Sequence, residues 1–93
     1  MQTISVHNHN FETHQVPTQT TSLLLIKNNN GMLACGYLNI ETANKLGEVL
    51  VIVTGVKNFD DMLNAKVVKV SDAAKKLGIQ IGETGEDALK YLI

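Results

Sequence analysis

Cys35 is the one thiol in the chain, and its small neighbours Ala34 and Gly36 leave the backbone open to an approaching substrate. As a thiolate it would be a nucleophile for covalent chemistry. No histidine lies near it in sequence to act as base, and no helix N-terminus is expected beside it to favour the thiolate. The plain alternative is a buried thiol used as a small apolar filler. Lys57 and Asp60, brought from a loop or from a neighbouring subunit, are the candidates to complete a site around Cys35.

Those two residues belong to the segment Val53-Thr-Gly-Val-Lys-Asn-Phe-Asp-Asp, which joins an apolar run to a helical pattern. Strand-to-helix loops of this kind cradle phosphates in nucleotide-binding folds, so Thr54 and Gly55, with Gly36, are the candidate ligand-binding residues. Only one glycine is present, and Asp60 and Asp61 fall in the first helical turn, where they would repel a phosphate. Helix capping and dipole compensation explain them more simply. As a metal or proton-transfer pair the aspartates are poorly placed, since adjacent helical side chains diverge by about 100°.

His7, His9 and His14 form the remaining group with chemical potential, and the first two could project from one face of a strand as metal ligands do. The spacing is not that of a zinc site, and a solvated hairpin is the simpler reading; neither a metal nor another cofactor is expected. Glu83, Glu86 and Asp87 read as partners for the positive end of a helix dipole.

Composition limits what these residues can serve. The 93-residue chain has 44% apolar residues, 18% charged residues and a formal charge of -1, which describes a folded domain with an aliphatic core. A chain of this length buries only about 60 to 65% of its unfolded surface. Every cation is a lysine, scattered among acidic neighbours, and aromatics are few. Without arginine forks or stacking platforms, nucleic acid is not expected as a partner. The apolar runs Leu23 to Ile26 and Val49 to Val53 are far short of the roughly 20 residues of a membrane-spanning helix. A single cysteine and the start Met-Gln-Thr-Ile-Ser point to the cytoplasm.

The elements that must position the candidates follow from pattern. Strands are expected at Thr3 to His7 and Phe11 to Val16, joined by a hairpin reversing at Asn8 and Asn10, and then at Ser22 to Lys27 and Met32 to Leu38 across an Asn-Gly turn. A helix from Ile40 to Leu46, capped by Asn39 and stopped by Gly47, precedes a buried strand from Glu48 to Thr54. Three more helices are expected: Phe59 to Ala65 behind Asn58, a short one from Ser71 to Leu77 stopped by Gly78, and a last one opened by Thr84 and Asp87 and running through Leu92. The strings Ala43-Asn-Lys-Leu-Gly and Ala74-Lys-Lys-Leu-Gly read as convergent helix stops. The result is an α+β fold in a single domain, 1–93, mostly β over 1–38 with an antiparallel sheet, and mostly helical over 39–93 with one buried strand.

Met32 to Leu38 and Leu23 to Ile26 do not alternate apolar with polar, so both faces of these strands should be dry. The helices of so short a chain should supply about one covering layer, which makes a second subunit the expected source of the other.

The segments Leu23-Leu-Leu-Ile-Lys, Gly31, Ala34-Cys-Gly-Tyr-Leu-Asn-Ile-Glu, Val53-Thr-Gly-Val-Lys-Asn-Phe-Asp-Asp-Met-Leu-Asn-Ala-Lys-Val, Ala74-Lys-Lys-Leu-Gly-Ile, Gly82 and Thr84-Gly85 together resemble the YunC-like family of bacteria and archaea. The resemblance covers about residues 20 to 93 and leaves out the histidine-bearing hairpin. It implies an N-terminal β region through which subunits associate as a tetramer, and it brings no established activity and no catalytic residue to carry onto Cys35, Lys57 or Asp60. The expected function is thus a homo-oligomeric module binding a small molecule or a protein. The alternative is an enzyme with Cys35 as nucleophile and partners from the Gly55 to Asp61 loop.

Overall fold

The computed structural model describes residues 2–93. Strand β1 (Gln2–Val6) and strand β2 (His9–Pro17) form a hairpin closed by the pair Val6 and His9. The two turn residues are His7 and Asn8, with φ of 55° and 64°. Such left-handed pairs match the twist of the flanking strands, and asparagine adopts them readily. The reversal therefore sits at His7-Asn8, and Asn10 is a strand residue opposite Ser5.

Strand β3 (Ser22–Asn28) returns through Asn29 and Asn30 into strand β4 (Gly31–Ala34). Asn28 and Gly31 form the closing pair, and the Asn28 side chain accepts from the Asn30 amide at 2.8 Å. Gly31 is needed here for space: a Cβ on it would lie 2.8 Å from Val49 and 2.9 Å from Leu92. The Asn-Gly pair expected as a turn signal is thus a turn residue followed by a close-packed strand residue.

β4 ends at Ala34, four residues earlier than expected. The Cys35 carbonyl leaves the ladder to accept from the Leu38 amide at 3.4 Å, which turns the chain toward helix α1 (Ile40–Leu46). After α1 comes strand β5 (Leu50–Ile52), which runs parallel to β4, so α1 is the crossover that a parallel pair requires. Helix α2 (Phe59–Asn64) follows, then strand β6 (Lys69–Val70), helix α3 (Asp72–Lys76), helix α4 (Gly85–Leu89) and a 3₁₀ turn over Lys90–Leu92. β6 is too short to leave a sequence pattern and was not expected; it pairs antiparallel with β5. The fold is α+β, with one mixed six-stranded sheet in the order β1-β2-β3-β4-β5-β6.

Both strings ending in Leu-Gly build the same stop. Gly47 and Gly78 have φ of 72° and 101°, and the amides of Glu48 and Ile79 reach back to the carbonyls of Ala43 and Ala74 at 2.9 and 3.3 Å. This is the Schellman arrangement, and its geometry accounts for the shared letters.

One face of the sheet, carrying Phe11, Leu24, Ile26, Leu33, Val51 and Val53, packs in one core with Met62 of α2, Ala74 of α3, Leu89 of α4 and Leu92. Burying each large apolar side chain there contributes roughly 1.5–3 kcal/mol. On the other face Ala34, Leu50 and Ile52 meet Ala43 of α1, with Leu25, Met32, Leu38 and Ile40 at the margin. The dryness of both sides of β4 therefore has an internal cause. The chain supplies two helical layers over β4 and β5, where one was expected.

Two devices fasten these layers. Gly85, the first residue of α4, lets α4 lie against α2, since a Cβ on it would fall 2.1 Å from the Met62 carbonyl. Ser71, fully buried, caps α3 and also accepts from the Leu50 amide at 3.0 Å while donating to the Glu48 carbonyl at 2.8 Å. The Leu92 carbonyl accepts from the side-chain amides of Asn28 at 2.9 Å and Asn30 at 2.6 Å, which ties the last turn to the β3–β4 hairpin.

Candidate functional site

Because β4 and β5 run parallel, the loops that leave them open at the same end of the sheet, where ligands of open α/β sheets bind. Cys35, Gly36 and Tyr37 come from the first loop, and Thr54, Gly55 and Val56 from the second. β3 is antiparallel to β4, so its start, Thr21 and Ser22, reaches the same end. These eight residues line a groove of about 390 Å³. A Cβ on Gly36 would lie 3.4 Å from the Thr54 methyl, which shows how near the two loops come to each other. Gly55 has φ of 71°, a left-handed conformation that glycine adopts without strain.

Cys35 is 6% exposed. Its amide donates to the Leu24 carbonyl at 3.1 Å, and its sulfur accepts from the Leu24 amide at 3.3 Å. The thiol thus takes the acceptor position that the Cys35 carbonyl vacates when it turns to Leu38. That contact explains a sulfur at this position by a structural need, because an apolar side chain would leave the buried Leu24 amide without a partner. Above the groove, the Tyr37 hydroxyl donates to Thr18 Oγ1 at 3.1 Å, fixing Tyr37 to the β2–β3 loop.

The candidates for charge and proton transfer lie elsewhere. Lys57 and Asp60 do not line the groove. The Lys57 amide donates to Asp61 Oδ2 at 3.0 Å, and the Asp61 amide donates to Asn58 Oδ1 at 2.7 Å. Asp61 and Asn58 together form the capping arrangement at the start of α2. No charged side chain is among the groove's lining residues.

The three histidines are not brought together. His7 sits in the hairpin turn, with Nε2 3.0 Å from the Glu86 carbonyl; since a carbonyl only accepts, this nitrogen carries the proton. His9 is exposed, and His14 lies on β2, 3.7 Å from a Glu12 oxygen. The shared strand face expected for His7 and His9 is lost because the turn begins at His7. Among the described residues, no group of three His, Cys, Asp or Glu side chains is placed to hold a metal ion. A second depression of about 330 Å³, between Gln2, Thr13, Gln15 and Phe59, takes His14 into its wall and has no loop glycine at its edge.

Of the residues singled out in the sequence, Cys35, Gly36, Thr54 and Gly55 line the groove; Thr21, Ser22, Tyr37 and Val56 line it too and were not among them. Tyr37 and Val56 adjoin Gly36 and Gly55 in sequence, whereas Thr21 and Ser22 follow from strand register, which places the start of β3 beside the end of β4.

Among the described residues no helix is long and apolar enough to cross a membrane. The chain is 31% identical over 90 residues to the uncharacterized protein YunC of Bacillus subtilis (strain 168), covering 92% of this chain and 89% of YunC. A crystal structure of TA1206 from Thermoplasma acidophilum, a protein of unknown function, superposes with a TM-score of 0.94 at 39% identity, covering 99% of this chain and 90% of that one. Residues 34–92 match the family described as a domain of unknown function (DUF1805), from the end of β4 through the last turn. This chain belongs to the DUF1805 family, as the YunC-like segments around Cys35 and Gly55 imply.

Proposed function

We propose that this protein is a cytoplasmic, single-domain, homo-oligomeric binding module that takes a small molecule in the groove between the β4 and β5 loops. The observation that carries this reading is the meeting of Cys35-Gly36 and Thr54-Gly55 in one groove. Its volume lies in the range of small-ligand sites, and its lining combines amides and hydroxyls with the apolar Val56 and the Tyr37 ring. Self-association, as a tetramer through the N-terminal strands, is supported by the outer side of the β1–β3 half. Register places Val16, Leu23 and Leu25 on that side, and Val16 is 53% exposed. The scattered lysines support a module that does not engage nucleic acid.

A fragment screen read by ¹H–¹⁵N correlation spectra tests the groove, with light scattering on the same sample. Hits should move the amides of Gly36, Thr54 and Gly55, and the particle should exceed one chain in mass. Hits that all map outside the groove, or a clean monomer at micromolar concentration, remove the corresponding half of the proposal.

The second reading is an enzyme with Cys35 as nucleophile, favoured by the place of this residue among those that line the groove. No histidine, carboxylate or lysine accompanies it there. Alkylation separates the two: a thiol that reacts only after unfolding is the structural acceptor described above.

A further inference from the structure

The two loops that make the groove are rich in main-chain donors that nothing in the protein uses. Among the described residues, the amides of Gly36, Tyr37, Thr54, Gly55 and Val56 make no hydrogen bond to a protein atom. Their neighbours do: the amides of Cys35 and Val53 are taken by Leu24 and Ala34, and those of Leu38 and Lys57 by Cys35 and Asp61. The free donors thus form two short runs, one on each side of the groove, and stop where the chain re-enters ordered pairing. Water satisfies them in the free protein, so they are available at no cost in broken protein bonds. Successive amides in turns that pass through the left-handed region, as at Gly55, are a recurrent anion-binding arrangement.

The side chains around them agree in sign. Thr21, Ser22 and Thr54 bring hydroxyls that can donate, and among the described residues no carboxylate lines the groove. Asp60 and Asp61, which would oppose an anion, do not line the groove, and the Asp61 carboxylate accepts from the Lys57 amide at 3.0 Å. Lys69 and Glu41 both line the adjoining depression that shares Gly36 and Tyr37, so it adds no net charge of either sign. The small residues Gly36 and Gly55 let a ligand atom approach the main chain closely.

We propose that the ligand of this groove is a small oxyanion, a carboxylate or a phosphate, held by main-chain amides of the β4 and β5 loops and not by charged side chains. This rests on the groove reading above and narrows it to a ligand class. The function is recognition of an acceptor group, with the rest of the ligand lying toward Val56 and the Tyr37 ring.

The test is a titration of the full ¹⁵N-labelled chain with sodium acetate, inorganic phosphate and acetamide at matched ionic strength. The amides of Gly36, Tyr37, Thr54 and Gly55 should shift saturably with at least one anion. Acetamide, the neutral counterpart of acetate, should bind about ten-fold more weakly, as hydrogen bonds to charged acceptors outweigh neutral ones. A stronger response to acetate assigns a carboxylate ligand, and a stronger response to phosphate assigns a phosphorylated one. Gly36→Val, which fills the space beside Thr54, should weaken the anion about ten-fold or more while distant resonances stay in place. Equal binding of acetamide, or anion shifts confined to residues around the lysines, overturns the oxyanion class and leaves the groove reading intact. If neither these probes nor the fragments reach the groove amides, both readings fail together.

Discussion

The centre of the sheet and its N-terminal hairpin are built from similar residues in opposite ways. β4 and β5 are roofed on both sides, by α1 on one and by α2 and α4 on the other, and Leu33, Ala34 and Val51 are all but inaccessible. β1 and β2 are covered on one side only, where Ile4, Phe11 and Thr13 point, while Thr3, Asn10 and Glu12 face outward. The contrast teaches where rigidity is placed. The groove hangs from the end of the doubly covered strands, so its two loops start from backbone packed on both faces. The hairpin carries the features that the family match does not span.

Substitutions on the two sides test that contrast. The largest effect is expected at Gly85, where a Cβ has no room against the Met62 carbonyl. Gly85→Ala should cost about 3 kcal/mol or more in urea unfolding, because α4 must back away from α2. Next, Leu33→Ala in β4 should cost about 2–5 kcal/mol, whereas Leu23→Ala on the half-buried outer face should cost about 1 kcal/mol. Equal losses at the two leucines would erase the distinction between doubly and singly covered strands, unless light scattering shows Leu23 inside a subunit contact. The smallest effect belongs to Glu12→Gln on the hairpin. Its carboxylate is 3.4 Å from Lys27 Nζ and about a third exposed, so the change should be under about 1 kcal/mol and shrink further in salt.

Much of this was legible in the sequence, and the rest was hidden for identifiable reasons. The caps at Asn39, Asn58, Ser71 and Thr84 were readable because a cap is a local bond between a side chain and an amide two or three residues on. The stops at Gly47 and Gly78 were readable for the same reason. The two-sided burial of Leu33 and Ala34 was also legible, but its cause was misassigned, since no pattern says which helix covers which face. The end of β4 was misplaced because Cys35-Gly-Tyr-Leu is as apolar as a strand. The deciding bond, from Leu38 back to Cys35, has no compositional mark. At the site, each half of the groove is legible by itself, one as a cysteine beside a glycine and the other as a strand-to-helix loop. Their meeting depends on the parallel pairing of β4 with β5, a long-range fact. Lys57 and Asp60 drew attention as reactive types, but position and not type decides participation.

The stitch between Leu92 and the asparagines of the β3–β4 hairpin has a consequence for synthesis. Leu89 and Leu92 complete a core whose sheet floor runs from Phe11 to Val53, so the last part of the lid is translated well after the floor. The nascent chain must carry Leu24, Ile26 and Leu33 incompletely covered until the last turn clears the ribosome, and only then can the two side-chain amides close on the Leu92 carbonyl. Chains stalled or cut a few residues short would expose that greasy floor, making them ready clients for chaperones and proteases.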